Sequence, residues 1–253
     1  MQQEVLDRLI GMLCKERSER VPELDESRKP DYFRALCNIR PPMPVSDEFL
    51  RLQDEYLSER TAQKGVADVN AFTYNGGIAI WRGDITRLNS DAIVNACNCS
   101  LLGCFQPLHG CVDNAIHSAA GVQVRLDCNA MMRGGTEPNG HVRVTGAYNL
   151  PSRYIFHTVG PIVSGRVTES NRRDLEGCYN SCLAKAEEMG LSSIAFCCIS
   201  TGVFGYPVRE AAAVAISAVR AFFARGGKVR VIFNVFSAED CKVYEQLLGF
   251  AAC

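Results

Sequence analysis

Cys104, His109 and Cys111 fall in one short loop, Gly103-Cys104-Phe105-Gln106-Pro107-Leu108-His109-Gly110-Cys111, with the spacing Cys-x4-His-x-Cys. Thiolate and imidazole are zinc ligands. A structural zinc usually closes with four protein ligands, whereas three leave a position open for water or substrate. Val112-Asp113-Asn114-Ala115-Ile116-His117 follows at once and reads as a helix start with an acid in its first turn. A Lewis acid, a nearby carboxylate and a helix N-terminus together point to hydrolysis of an anionic substrate. By residue type alone the same loop also reads as two buried thiols and a loop histidine. The chain has 13 cysteines, so neighbouring thiols arise easily by chance.

The bulk properties narrow the setting. A length of 253 residues allows one large domain, or one domain with a smaller addition. The net charge of −1 implies no basic face, so nucleic acid is not expected as a partner. No apolar run is long enough to span a membrane. The N-terminus, MQQEVLDRLI, lacks the basic and continuous apolar segments of a secretory signal. A cytoplasmic protein with reduced thiols is therefore expected. Most of those thiols, as in Phe196-Cys197-Cys198-Ile199, read as small buried apolar groups.

Two kinds of pattern must position the loop. Residues 1–65 are rich in charge, with a proline cluster at Pro41, Pro42 and Pro44. Val5, Leu6, Leu9, Ile10 and Leu13 share one helical face, a short helix is predicted over 31–39, and Ser46 is a good N-cap for a third helix bearing Phe49, Leu50, Leu52, Tyr56 and Leu57. This predicts a helical N-terminal extension over 1–65, packed on a main domain over 66–253. In the main domain, short apolar strands at 78–81, 92–95, 142–145, 154–159, 194–199 and 229–236 are interleaved with helices at 112–120, 122–132, 173–189, 208–224 and 238–248. Such alternation packs as a three-layer α/β domain. Ligands in these sheets bind beyond the carboxyl ends of the strands.

The predicted strand ends carry further candidates. Trp81-Arg82-Gly83-Asp84-Ile85-Thr86 puts an Asp beyond one strand, although Gly-Asp is also an ordinary turn. Asn95-Ala96-Cys97-Asn98 leaves two amides at another, able to bond sugar hydroxyls and feeding into the Cys/His loop. Ser200-Thr201-Gly202-Val203-Phe204-Gly205-Tyr206-Pro207 lies between a buried strand and a helix, where glycines let backbone N–H groups approach a phosphate. Each signal is weak in isolation.

In combination they are specific. Gly83-Asp84-Ile85, Asn95-x-x-Asn98, Val112-Asp113, Ile116-His117, Ala119-Ala120-Gly121, His157-Thr158-Val159-Gly160-Pro161 and Ser200-Thr201-Gly202-x-x-Gly205-Tyr206-Pro207 occur in the order that resembles a macrodomain, from about residue 70 to 250. Most macrodomains of this branch carry a glycine run before the Val-Asp. Here Gly-Cys-x-x-Pro-x-His-x-Cys stands instead, which is similar to the zinc-dependent bacterial macrodomains. That subgroup also tends to carry a helical N-terminal extension.

The resemblance implies a three-layer α/β/α fold with a mixed central sheet and an ADP-ribose pocket. Asp84 is expected to accept the adenine amino group, with the Ile85 N–H at a ring nitrogen. Phe236 is expected to stack on adenine, with plain core as the other reading. The amides of Gly202, Val203, Phe204 and Gly205 are expected to hold the pyrophosphate, Asn98 to meet the distal ribose, and Tyr206 or Phe204 to wall that sugar. Zn2+ is expected on Cys104, His109 and Cys111, with Cys97 and Cys99 near enough in sequence to intrude. Asp113 is the expected acid/base, ionised beside zinc, and Asn98 joins it in catalysis. His117 is expected to face the core, His157 reads as a hydrogen-bonded structural residue, and neither these nor His141 is assigned as a base. The implied activity is zinc-dependent removal of mono-ADP-ribose from modified protein side chains, so the partners are ADP-ribose and a mono-ADP-ribosylated protein. Two alternatives are a module that binds ADP-ribose without turnover, and a deacylase or phosphatase acting on small ADP-ribose derivatives.

Overall fold

Runs of four to six residues, rich in β-branched and aromatic side chains, form a six-stranded sheet: β1 (Ile78–Arg82), β2 (Ala92–Ala96), β3 (Val142–Gly146), β4 (Tyr154–Thr158), β5 (Ser193–Phe196) and β6 (Arg230–Val235). The structure is a computed structural model that describes residues 2–250. Strand order is β1-β6-β5-β2-β4-β3. All neighbours are parallel except β3, which runs antiparallel to β4 at one edge. The central strands are buried along most of their length, as expected of parallel strands covered on both faces. Helices α4 (Val112–Ala120) and α5 (Val122–Met132) pack together against β2 and β3. Helices α6 (Glu169–Glu188), α7 (Val208–Ala224) and α8 (Ala238–Leu248) pack in series and complete the three layers.

Two elements differ from their predicted bounds by three or more residues at one end, each for an identifiable reason. β5 ends at Phe196, not at 199, because its parallel pairing with β2 runs only from Ile194 to Phe196. Cys198 then turns the chain, its carbonyl accepting from the Thr201 amide (3.3 Å) and hydroxyl (3.0 Å). α6 starts four residues earlier than predicted, at Glu169, with Thr168 and Asn171 forming a reciprocal capping box.

The extension forms α1 (Gln2–Glu16), α2 (Lys29–Ile39) and α3 (Asp47–Lys64). Pro30 occupies the first turn of α2, and Ser46 caps α3 by accepting the Phe49 amide at 3.2 Å. Leu9, Ile10, Leu13, Phe33, Phe49 and Leu52 make a separate core into which α5 inserts Val122. Polar contacts tie the extension to α5. Gln53 accepts the Val122 amide (2.9 Å) and donates to Gln123 (2.7 Å), and Arg125 donates to the carbonyls of Cys37 and Arg40. Among the described residues, no helix is long and apolar enough to cross a membrane.

Candidate active site

Five parallel strands deliver their carboxyl ends to one edge of the sheet, and a cleft of about 1240 Å³ opens there. At the end of β1, Asp84 caps a single 3-10 turn, Ile85–Arg87. Its Oδ1 accepts from the Thr86 amide (3.0 Å) and hydroxyl (2.6 Å), and its Oδ2 accepts from Lys64 Nζ (3.2 Å). Burial opposes ionisation of this carboxyl, but the Thr86 hydrogen bonds and the Lys64 cation outweigh it and hold Asp84 below its usual range. Ile85 lines the cleft beside it. Phe236, just beyond β6, is 81% exposed on the cleft, which excludes the core reading.

After β5 the chain turns through Ser200, at φ +66°, into the glycine loop. Ser200 packs so closely on Gly160 that a Cβ there would lie 2.2 Å from its hydroxyl oxygen. Gly202, Val203 and Phe204 line the cleft, and none of the described residues accepts from their amides. Two expectations need correction. The Gly205 amide is already engaged by the Gly202 carbonyl (3.0 Å), so Gly205 serves the loop through its φ of +70° instead. Tyr206 is 1% exposed beneath the loop, its backbone N–H donating a hydrogen bond to the Ser200 carbonyl (2.9 Å), and does not line the cleft. Of these two aromatics, Phe204 is the one that lines the cleft.

β2 leads to the metal-type loop. The ligand atoms of Cys104, His109 and Cys111 lie within 4.8 Å of one another, and Cys104 Sγ is 3.6 Å from His109 Nδ1. A tetrahedral ion with Zn–S near 2.3 Å and Zn–N near 2.05 Å separates S and N by about 3.6 Å, so the donor set fits zinc. Burial, with Cys104 as a further contributor, pushes the Cys111 thiol up to about 11, and a dication between the ligands would remove that penalty. Cys97 and Cys99 are not in the cluster. Cys97 is buried with its thiol on the Thr158 carbonyl (3.3 Å), and Cys99 is exposed. Asn98 lines the cleft, but much of its amide is committed: Oδ1 accepts from Ser100 N and Oγ (3.1 and 2.6 Å), and Nδ2 donates to Gly103 O (3.0 Å). One N–H is left for a ligand.

Cys111 caps α4, and Asp113 points from its first turn into a buried polar chain. Asn95 lies in that chain and not at a sugar site. Its Nδ2 meets Asp113 Oδ1 at 2.8 Å and His157 Nδ1 at 3.2 Å, while His157 Nε2 meets Thr145 Oγ1 at 2.9 Å. His157 is thus the hydrogen-bonded structural residue its strand position predicts. Burial lifts Asp113 to about 6, with Asn95 and Arg125 opposing the shift. His117 lies 3.5 Å from Asp113 and is held neutral by burial, with His157 and Arg125 adding to the effect. Gly103, at φ +81°, packs on the His117 ring, where a Cβ would come within 2.9 Å.

The profile of the Macro domain family matches residues 94–215. A protein-ADP-ribose hydrolase of Treponema medium is 46% identical, with 95% of this chain and 97% of that protein covered. This chain belongs to the macrodomain family. A second relative, a protein-ADP-ribose hydrolase of Staphylococcus aureus (strain MRSA252), is 44% identical over 95% of this chain and 94% of its own. The Trypanosoma brucei macrodomain solved in complex with ADP-ribose superposes with a TM-score of 0.67 at 31% identity, covering 85% of this chain and 95% of that one.

In this macrodomain the extension also walls the cleft. Arg34 of α2 and Arg60, Thr61 and Lys64 of α3 line it. None was singled out from the sequence. Lys64 reaches Asp84 across 20 positions and Arg34 reaches the Cys/His loop across 75, so no local periodicity marks either contact.

Proposed function

We propose that this macrodomain is a zinc-dependent hydrolase that releases mono-ADP-ribose from modified protein side chains. The observation that carries the reading is the order of subsites along the sheet edge. Asp84 and Phe236 follow the adjacent strands β1 and β6, the Gly202–Phe204 amides follow β5, and Asn98 with the three-ligand loop follows β2. Adenine, pyrophosphate and distal ribose succeed one another in the same order. Three strand spacings separate β1 from β2, about 14 Å, a distance suited to an extended dinucleotide-like ligand. The Treponema and Staphylococcus relatives, by their names, and the trypanosomal complex with ADP-ribose support this reading.

Each residue then has a task. Asp84 Oδ2 accepts the adenine amino group, the Ile85 N–H meets a ring nitrogen, and Phe236 covers the ring face. The amides of Gly202, Val203 and Phe204 bind the pyrophosphate without a basic side chain. Phe204 walls the distal ribose, and the free N–H of Asn98 orients a hydroxyl of that sugar. Asp113, aimed by Asn95, takes a proton from the attacking water and can return it to the leaving side chain. Cys104, His109 and Cys111 would hold zinc, which supplies Lewis acidity beside the anomeric bond. A reducing, cytoplasmic setting keeps both thiols available as ligands.

The test is incubation with mono-ADP-ribosylated proteins carrying acidic, serine, arginine or cysteine linkages, with release of ADP-ribose followed directly. Release from at least one linkage is expected. Intact binding of ADP-ribose with no release from any linkage would instead favour the binding module. Turnover of small ADP-ribose esters alone would favour the third reading.

A further inference from the structure

The Cys104–Cys111 loop has little regular structure of its own, and its residues 105–108 are exposed. Two side chains one turn apart on α2 hold its backbone. Arg34 donates through Nη2 to the His109 carbonyl (3.2 Å), and through Nη2 and Nε to Asn114 Oδ1 (2.6 and 3.2 Å). Asn114 passes this hold to the ligands, its backbone amide donating to Cys111 Sγ (3.4 Å) and its Nδ2 to the Gln106 carbonyl (3.0 Å). Asn38, 1% exposed, accepts the Leu108 amide on Oδ1 (3.0 Å) and donates to Ser118 Oγ (3.0 Å). Leu108 adopts a φ of +55°, a conformation that a branched L residue keeps only when its surroundings impose it. That residue sits directly before the ligand His109. The restraint on it comes from another element, 70 positions away in sequence.

We propose that α2 of the N-terminal extension is a working part of the metal site. Arg34 and Asn38 are positioning residues that hold Cys104, His109 and Cys111 in ligating shape before the ion arrives. This rests on the reading of the loop as a zinc site. The physical logic is preorganisation: a loop already held by part-buried hydrogen bonds loses less entropy when the ion binds. Groups that orient metal ligands typically change metal affinity by about 10- to 100-fold when removed. The extension therefore does more than cover apolar surface on α5.

Zinc affinity of the full chain, measured by competition with a chromophoric chelator, tests this. The set is wild type, Arg34→Ala, Arg34→Lys, Asn38→Ala and Leu9→Ala, each checked for folding by circular dichroism. Arg34→Ala and Asn38→Ala are expected to weaken zinc about 10- to 100-fold. Arg34→Lys should recover part of the loss, because the ammonium keeps the charge but loses the Nε hydrogen bond to Asn114 and the fixed geometry of the guanidinium fork. Leu9→Ala removes a buried side chain of the extension core that does not line the cleft, so thermal stability should fall while zinc affinity stays at wild type. Cobalt substitution adds a second readout, since the thiolate-to-cobalt absorption should shift in Arg34→Ala and Asn38→Ala and not in Leu9→Ala. Wild-type affinity and spectrum in folded Arg34→Ala and Asn38→Ala would overturn the proposal, as would an equal loss in Leu9→Ala. If the alanine variants do not fold, Arg34→Lys decides: unchanged affinity and spectrum there would also overturn it. Failure of the wild type to bind zinc is a different result, and it would remove the zinc reading itself.

Discussion

Replacing Asp84 by alanine is expected to weaken ADP-ribose binding about ten- to hundredfold while leaving the metal loop intact. The magnitude follows from what each carboxylate oxygen does. Oδ1 is engaged by the amide and hydroxyl of Thr86, so Oδ2, which takes only Lys64 among the described residues, is the oxygen open to adenine. Deleting it removes one hydrogen bond to a charged acceptor, worth about 1.5–3 kcal/mol. At 1.4 kcal/mol per decade that gives the stated range. The Lys64 side chain is 45% exposed, so the stranded ammonium re-solvates at little cost. Thr86 is buried, and its orphaned amide and hydroxyl should lower stability by about 1–3 kcal/mol. Asp84→Asn separates the two effects. Its carbonyl can still cap Thr86, while its amide presents a donor to a donor at adenine. Calorimetry with ADP-ribose and with ribose 5-phosphate, which lacks adenine, is the assay. Only the first ligand should discriminate the variants. Full ADP-ribose affinity in folded Asp84→Ala would refute the adenine assignment.

Three further outcomes are expected. Phe236→Ala should weaken ADP-ribose about two- to tenfold, the size of a ring-stacking contribution, with little change in thermal midpoint because the ring is already exposed; a loss of several kcal/mol in stability would return Phe236 to the core. Asp113→Asn should lower single-turnover release by about 10²- to 10⁴-fold with zinc content unchanged, and near-wild-type release would remove Asp113 as the base. Burial pushes His157 from 6.5 down to about 3, so between those values the unfolded chain binds more protons than the folded one and stability rises with pH. Urea unfolding of wild type at pH 5.5 should therefore show a loss, relative to pH 7.5, about 1.4 kcal/mol larger than in His157→Gln, and equal losses would show that His157 is not buried neutral.

What the sequence carried well were features with a local physical signature. The strand positions were legible from apolar runs, and Ser46 from its capping chemistry. The Cys104, His109 and Cys111 cluster was legible because its members sit within eight positions of one another. Failures came where local and tertiary demands look alike. Cys197–Ile199 is as apolar as a strand, yet the pairing of β5 with β2 and β6 ends at Phe196. The start of α6 was hidden because Asn171, and not Glu or Gln, closes the capping box. Tyr206 sits in a ligand-loop motif, yet its ring packs inward while Phe204 faces the cleft. Arg34, Asn38 and Lys64 read as ordinary polar positions of helices, and only the packing of the extension shows what they hold.

The most direct test of the zinc mechanism compares one preparation before chelation, after chelation, and after stoichiometric zinc is restored. Release of ADP-ribose from a modified protein in a single turnover is measured alongside calorimetry with free ADP-ribose. The proposed adenine and pyrophosphate contacts come from Asp84, Phe236 and the Gly202–Phe204 amides, so much of the affinity should survive metal removal. Interaction with the ion should grow as charge develops in the transition state, so turnover should not survive. Loss of release with measurable binding retained, and release regained with zinc, is the expected result. Full hydrolysis by the metal-free protein would contradict it.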